Sequence, residues 1–238
     1  MRGNDPAVVR REYADEAGLR DRAAAYGGVL GGADARDRAF AAVAERSPRR
    51  VLEVGCGWGE FAERITRELG ADVVAVDLSP RMVALSRARG VGARVADVQA
   101  LPFADGEFDC AVANWMLYHV PDVERALAEL ARVLRRGGRL VAATNALDHL
   151  GEMWALVGRD RRREPIRFFA ETAEPFLRQH FARIERRDVL GLVRFADREA
   201  VRRYIGASVA HAHLADRVPP LARPLEATRS ATVFVAET

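Results

Sequence analysis

No lysine occurs in the 238 residues, and all 37 basic side chains are arginine. A GC-rich coding bias explains this more simply than selection for a polyanionic partner. The formal net charge of +3 is small and evenly spread, so composition alone gives nucleic-acid binding no support. Cysteine is scarce as well. Cys56 lies in a glycine-rich turn and Cys110 in an apolar run, on different elements. That argues against a disulfide or a thiolate metal site and fits a reducing compartment. No apolar run approaches the ~20 residues that span a bilayer. The stretch from Met1 to Arg11 has no hydrophobic centre of a secretory signal. A cytoplasmic protein with no membrane partner is expected. With 49% hydrophobic and 30% charged residues, and periodic apolar segments almost to the end, the chain is neither disordered nor fibrous.

The organisation follows from periodicity. Asp5 to Glu45 has a helical pattern, with Asp5-Pro6 as N-cap and first-turn proline and with breaks at Gly27-Gly28 and Gly31-Gly32. Strand and helix patterns then alternate. Apolar runs at Val51–Val54, Asp72–Val76, Ala93–Ala96, Phe108–Ala113 and Arg139–Thr144 predict five strands. Between them, Phe61, Ile65 and Leu69 share a helical face, Ser79-Pro80 opens a second helix, and Asp122 to Arg136 forms a third. Arg135 and Arg136 are expected in its last turn, where the helix dipole favours cations. Later segments predict helices around Leu147–Val157, over Glu171–His180 and from Asp197 to Leu221, with strands at Arg183–Val189 and Ala231–Ala236. Alternating strands and helices imply parallel pairing with helices on both faces, a Rossmann-like three-layer α/β sandwich. Residues 1–46 are expected to form a helical cap and 47–238 the core, with insertions at about 146–182 and 192–230. The run Arg159 to Arg163 is either a solvated helix end or a means of recognising an anionic acceptor.

The chemistry concentrates at Glu53-Val54-Gly55-Cys56-Gly57-Trp58-Gly59, between the first core strand and its helix. Glycines there let the backbone turn sharply and approach a ligand with no Cβ in the way. Asp77 ends the next strand 22 residues after Gly55, the place of a ribose-binding carboxylate. Asp97 ends the third. A dinucleotide turn needs a small residue where this chain has Glu60, and Glu53 and Glu60 would both repel a pyrophosphate. A cationic sulfonium nucleoside tolerates them. The charge pattern therefore favours S-adenosyl-L-methionine over NAD.

The stretches VLEVGCGWGEFAERI, VVAVDLSPRMVALSRARG, RVADVQALPFADGEFDCAVANWMLYHV and LAELARVLRRGGRLVAATN, over about residues 50 to 145, resemble the Rossmann-like S-adenosylmethionine-dependent methyltransferases. The likeness is greatest to their small-molecule, ubiquinone-type branch. It implies a mostly parallel seven-stranded sheet with an antiparallel final strand inserted near the fifth, and helical segments capping it at both ends. It implies that Glu53, Gly55, Cys56 and Gly57 surround the methionine part of the cofactor. Asp77 would hold the ribose, Leu78 would lie beside the adenine, Asp97 and Val98 would contact the adenine, and the Asn114 backbone carbonyl would take the ammonium group. S-adenosyl-L-homocysteine would be the product.

Methyl transfer to an acceptor that must lose a proton needs a base. His119, after the fourth core strand, and His149, after the fifth, are the candidates. His119 has the alternative of capping a helix or holding a loop. No acid or histidine cluster demands a metal. A small organic acceptor is expected, since no separate RNA-binding module is visible. A nucleic-acid methyltransferase and a non-catalytic cofactor-binding regulator are the competing readings.

Overall fold

A computed structural model describes residues 8–9, 11, 13–14, 17–25, 29–163 and 168–238. The expected N-cap at Asp5-Pro6 lies outside these residues. Eight strands form one sheet. In chain order they are β1 (Val29–Gly32), β2 (Arg50–Val54), β3 (Asp72–Asp77), β4 (Gly92–Val95), β5 (Phe108–Asn114), β6 (Leu134–Asn145), β7 (Arg183–Phe195) and β8 (Leu225–Glu237). Their order across the sheet is β1-β7-β8-β6-β5-β2-β3-β4. The pairs from β4 to β6 are parallel, as the alternating pattern requires, and the three involving β7 and β8 are antiparallel. β8 is the reversed strand inserted beside β6.

The central strands are buried almost continuously, and their successive side chains point to opposite faces, so each face has its own helix layer. Val51, Val73, Ala75, Val112 and Val141 meet α2 (Ala35–Ala44), α3 (Glu60–Leu69) and α4 (Pro80–Ala88) on one face. On the other, Leu52, Val74, Ala111 and Leu140 meet α5 (Val123–Val133) and α7 (Ala173–Arg178). A third cluster, centred on Trp154, Phe195 and Tyr204, joins α6 (Gly151–Ala155) and α8 (Arg198–Gly206) to the ends of β7 and β8. A helix, α1 (Ala17–Ala25), precedes β1 and docks beside α8.

Three expectations are corrected. The sheet has eight strands rather than seven, because Val29–Gly32 is an edge strand on β7 and not merely a break between helices. Glycine allows the close contact: a Cβ on Gly32 would fall 2.5 Å from the Leu190 carbonyl oxygen. The helix expected to end at Arg136 ends at Val133, because Leu134 pairs with Phe108 in the sheet. Arg135 then binds Asp109 at 2.6 Å instead of capping a helix. The region from Asp197 to Leu221 is not one helix but α8 followed by a 3-10 turn over Ala212–Arg217.

β6 stops at Asn145 opposite Ala231, while β7 and β8 continue pairing from Leu190–Ser230 to Phe195–Leu225. The sheet thus extends past the end of β6 by roughly 20 Å as β7 and β8, with β1 paired to β7 over Gly191 to Val193. Among the described residues, no helix is long and apolar enough to cross a membrane.

Candidate active site

The parallel strands run outward from β2 to β3 and β4, then return to β5 on the other side of β2. Open α/β sheets bind ligands at this reversal, outside the carboxyl ends of the strands. Here it opens into a cavity of about 620 Å³.

The glycine turn forms its floor. Gly55, Gly57 and Gly59 have φ of +68°, +53° and +86°, a left-handed conformation that side chains resist. The turn is tied to the end of β3: the Gly55 and Cys56 N–H groups donate to the Val76 carbonyl at 2.8 and 3.1 Å. The Gly57 N–H donates to Asp77 Oδ2 at 3.0 Å, and the Ser79 N–H to Oδ1 at 2.8 Å. Asp77 therefore shapes the turn as well as facing the cavity. Burial raises its pKa above the ordinary aspartate value.

Glu53 is 3% exposed. One of its oxygens takes the Ala62 backbone N–H, while Oε2 has no partner. Burial first, and then the negative charge of Asp77, push its pKa from 4.5 to about 8. The side-chain amide of Asn114, at the tip of β5, is likewise buried with neither atom bonded. Buried polar groups are rarely left unpaired, and two that face a cavity are positioned to bond whatever fills it, water or ligand. Both line the cavity. Cys56 is buried beside them, and burial pushes its thiol pKa up, so it stays protonated. Leu78, Asp97 and Val98 line the same end. Asp97 is exposed, and its carboxylate is oriented by the Gln99 N–H at 2.9 Å.

The shift of Glu53 has a definite sign for stability. The folded chain keeps a proton that the unfolded chain releases above 4.5. Stability contributed by that proton is full below 4.5 and disappears as pH rises to about 8. The ligand-free protein is therefore expected to lose thermal stability over that interval more steeply than Glu53→Gln. Parallel unfolding midpoints for the two proteins would refute the buried, protonated state of Glu53.

The two histidines differ. His119 Nε2 lies 3.0 Å from the Tyr13 hydroxyl, with the rings edge to face. The Tyr13 carbonyl accepts from Ser79 Oγ at 2.8 Å, so one residue near the chain start spans from β3 to the loop after β5. His149 is 4% exposed, with Nδ1 lying 3.0 Å from the Ser230 carbonyl. Burial, aided by the charges of Arg161 and Arg229, depresses its pKa to about 3. An imidazole so held remains neutral and is too weakly basic to collect a proton at neutral pH.

Several lining residues escape sequence reasoning. Trp115 adopts a φ of +52°, strained for a bulky side chain, and its Nε1–H donates to Asn145 Oδ1 at 2.9 Å. That bond joins the tips of β5 and β6. Arg22, Gly191, Tyr204 and Arg229 line the cavity as well. They are separated in sequence by whole elements, and no motif links them.

Residues 52–142 match a family described as a methyltransferase domain. A demethylmenaquinone methyltransferase of Thermus thermophilus is 42% identical over 113 residues, covering 44% of this chain and 51% of its own. A malonyl-(acyl-carrier protein) O-methyltransferase of Pseudescherichia vulneris is 37% identical over 140 residues, 57% of this chain and 55% of its own. The chain thus spans about half the length of these curated relatives. In structure it resembles a SAM-dependent methyltransferase, possible histamine N-methyltransferase, of Thermotoga maritima, with a TM-score of 0.60, 21% identity and coverage of 95% and 98% of the two chains. A 4+2 cyclase gives 0.63 at 23% identity, with 97% and 94% covered. The fold is a Rossmann-like α/β sandwich shared with these solved structures, and the match to the methyltransferase-domain family covers residues 52–142, well under half of the chain.

Proposed function

We propose that this chain, built around a methyltransferase domain, transfers a methyl group from S-adenosyl-L-methionine to a small organic acceptor and releases S-adenosyl-L-homocysteine. The observation that carries this is the pair of buried, unpartnered groups, Glu53 Oε2 and the Asn114 amide, in a cavity with carboxylates at successive strand ends. A positively charged nucleoside bearing an amino acid satisfies both, and a pyrophosphate would meet only negative charge. When bound, the donor supplies an activated methyl group on a sulfonium.

The chain holds and aligns. Asp77 has lone pairs left after the Gly57 and Ser79 bonds, and these accept the ribose hydroxyls. Leu78 and Val98 flank the adenine, and Asp97 receives its exocyclic amine. The Asn114 carbonyl and Glu53 hold the ammonium group, and Gly55, Cys56 and Gly57 give the backbone room to approach. Trp115 and Tyr13 exclude water from the space between donor and acceptor. His119, oriented by Tyr13, takes the acceptor's proton where there is one to lose. His149 serves as wall and anchor instead. A walled cavity of this size suits a small molecule better than a nucleic-acid strand. Both cysteines are buried and unpaired, which supports a reducing, cytoplasmic setting.

Calorimetry with S-adenosyl-L-homocysteine is the direct test: one molecule binds per chain, and absence of binding overturns the reading. Tyr13→Phe tests the base. Loss of one hydrogen bond of ~1 kcal/mol lowers kcat by about fivefold to tenfold, with donor affinity unchanged. An acidic limb in the kcat profile that disappears in His119→Ala identifies the imidazole as the titrating group. The same profile in both proteins removes His119 from the chemistry and leaves alignment alone.

A further inference from the structure

We propose that Asn145 is a positioning residue for the methyl donor: by binding the Trp115 indole, it keeps the backbone carbonyl of Asn114 aimed at the donor's ammonium group. The inference rests on the transferase reading above and adds to it a side chain that acts through another.

The direction of that carbonyl follows from the peptide bond. Asn114 is the last residue of β5, which lies between β6 and β2. The Trp115 N–H donates to the Ala143 carbonyl of β6 at 2.8 Å. A trans peptide sets its C=O opposite its N–H, and no cis bond occurs among the described residues. The Asn114 carbonyl therefore points away from β6, toward β2 and the glycine turn that follows it. Glu53, the other group assigned to the ammonium, stands on β2 opposite Val112 of β5.

Beyond Asn114 the chain bends sharply. Trp115 turns it at φ +52°, a conformation that bulky side chains keep only where their surroundings over-determine it. The bend brings Met116 over the glycine turn, its Cβ 2.7 Å from the place a Gly55 Cβ would occupy. Two constraints hold the indole in this state. Its ring packs against Ala35, Val189 and Ala231, from α2, β7 and β8. Its one polar atom, Nε1, donates to Asn145 Oδ1 at 2.9 Å. Asn145 is itself anchored: it ends β6 opposite Ala231, and its carbonyl accepts the Ala170 N–H at 3.1 Å. Packing sets where the ring lies, and the directional bond sets how it is turned. Once that bond is lost, φ at Trp115 is free to relax. The peptide plane between Asn114 and Trp115 swings with it, and the carbonyl leaves its aim, because C=O and N–H move as one rigid unit.

The test compares two ligands of the full chain by calorimetry, S-adenosyl-L-homocysteine and methylthioadenosine. The second keeps the nucleoside and the thioether but lacks the amino acid. Trp115→Phe removes the indole N–H and keeps an aromatic ring, and Asn145→Ala removes the acceptor. Each should weaken S-adenosyl-L-homocysteine about tenfold, the size expected for a charge-assisted hydrogen bond, and leave methylthioadenosine within about twofold of wild type. The double variant should bind no more weakly than the weaker single, since both substitutions break one bond. Trp115→Phe decides by itself if circular dichroism shows that Asn145→Ala does not fold. Unchanged S-adenosyl-L-homocysteine affinity in Trp115→Phe, equal losses for both ligands, or additive losses in the double variant overturns the proposal. Failure of the wild-type chain to bind S-adenosyl-L-homocysteine would instead overturn the transferase reading.

Discussion

Asp77→Ala should weaken binding of S-adenosyl-L-homocysteine by ~1.5–3 kcal/mol, roughly 10- to 150-fold. Two losses combine. The ribose hydroxyls lose a charged acceptor, and the Gly57 and Ser79 N–H groups lose the carboxylate that holds the turn in shape. Asp77→Asn separates them. It keeps one oxygen for one of the two backbone bonds and is expected to fall between wild type and alanine. Calorimetry on the three proteins measures the effect, with circular dichroism confirming an intact fold. Unchanged affinity in Asp77→Ala would remove this carboxylate from the donor site.

Gly55→Ala carries the larger consequence for the fold. At φ +68° an alanine adds about 1–2 kcal/mol of backbone strain. Its Cβ would also lie 2.7 Å from the Met116 Cβ, and overpacking of this kind adds about 1–3 kcal/mol. A loss of roughly 2–5 kcal/mol in urea unfolding follows from the two together. Donor affinity should fall with it, because the turn must move. Met116→Gly removes the overlapping atom without touching the backbone strain. In a double-mutant cycle the two substitutions should therefore couple by about 1–3 kcal/mol, the overpacking share. Strict additivity would show that the turn has room the geometry denies it.

The central sheet and the cavity wall along its carboxyl edge were legible because local signals coincide there. In β2 to β6, apolar runs end at Gly55, Asp77, Asp97, Asn114 and Asn145, so strand pattern and site residues mark the same edge. The edge strand β1 was hidden for a physical reason: two apolar residues between glycine pairs show no period, and β7 alone makes them a strand. The end of α5 was misplaced because Leu134 continues the helical stripe while its backbone is claimed by Phe108. The rest of the cavity wall was illegible altogether. Arg22, Gly191, Tyr204 and Arg229 meet only once β7, β8, α1 and α8 have packed. His149 shows the complementary limit, since its position after β6 is plain in the sequence while its burial against Ser230, which lowers its basicity, is not.

The extension of β7 and β8 beyond Asn145 gives the molecule a cantilever. It is rooted in the sheet and carries Gly191 and Arg229 into the cavity wall beyond the end of β6. Substitution at a few positions of these two strands can vary that wall while the glycine turn keeps its shape.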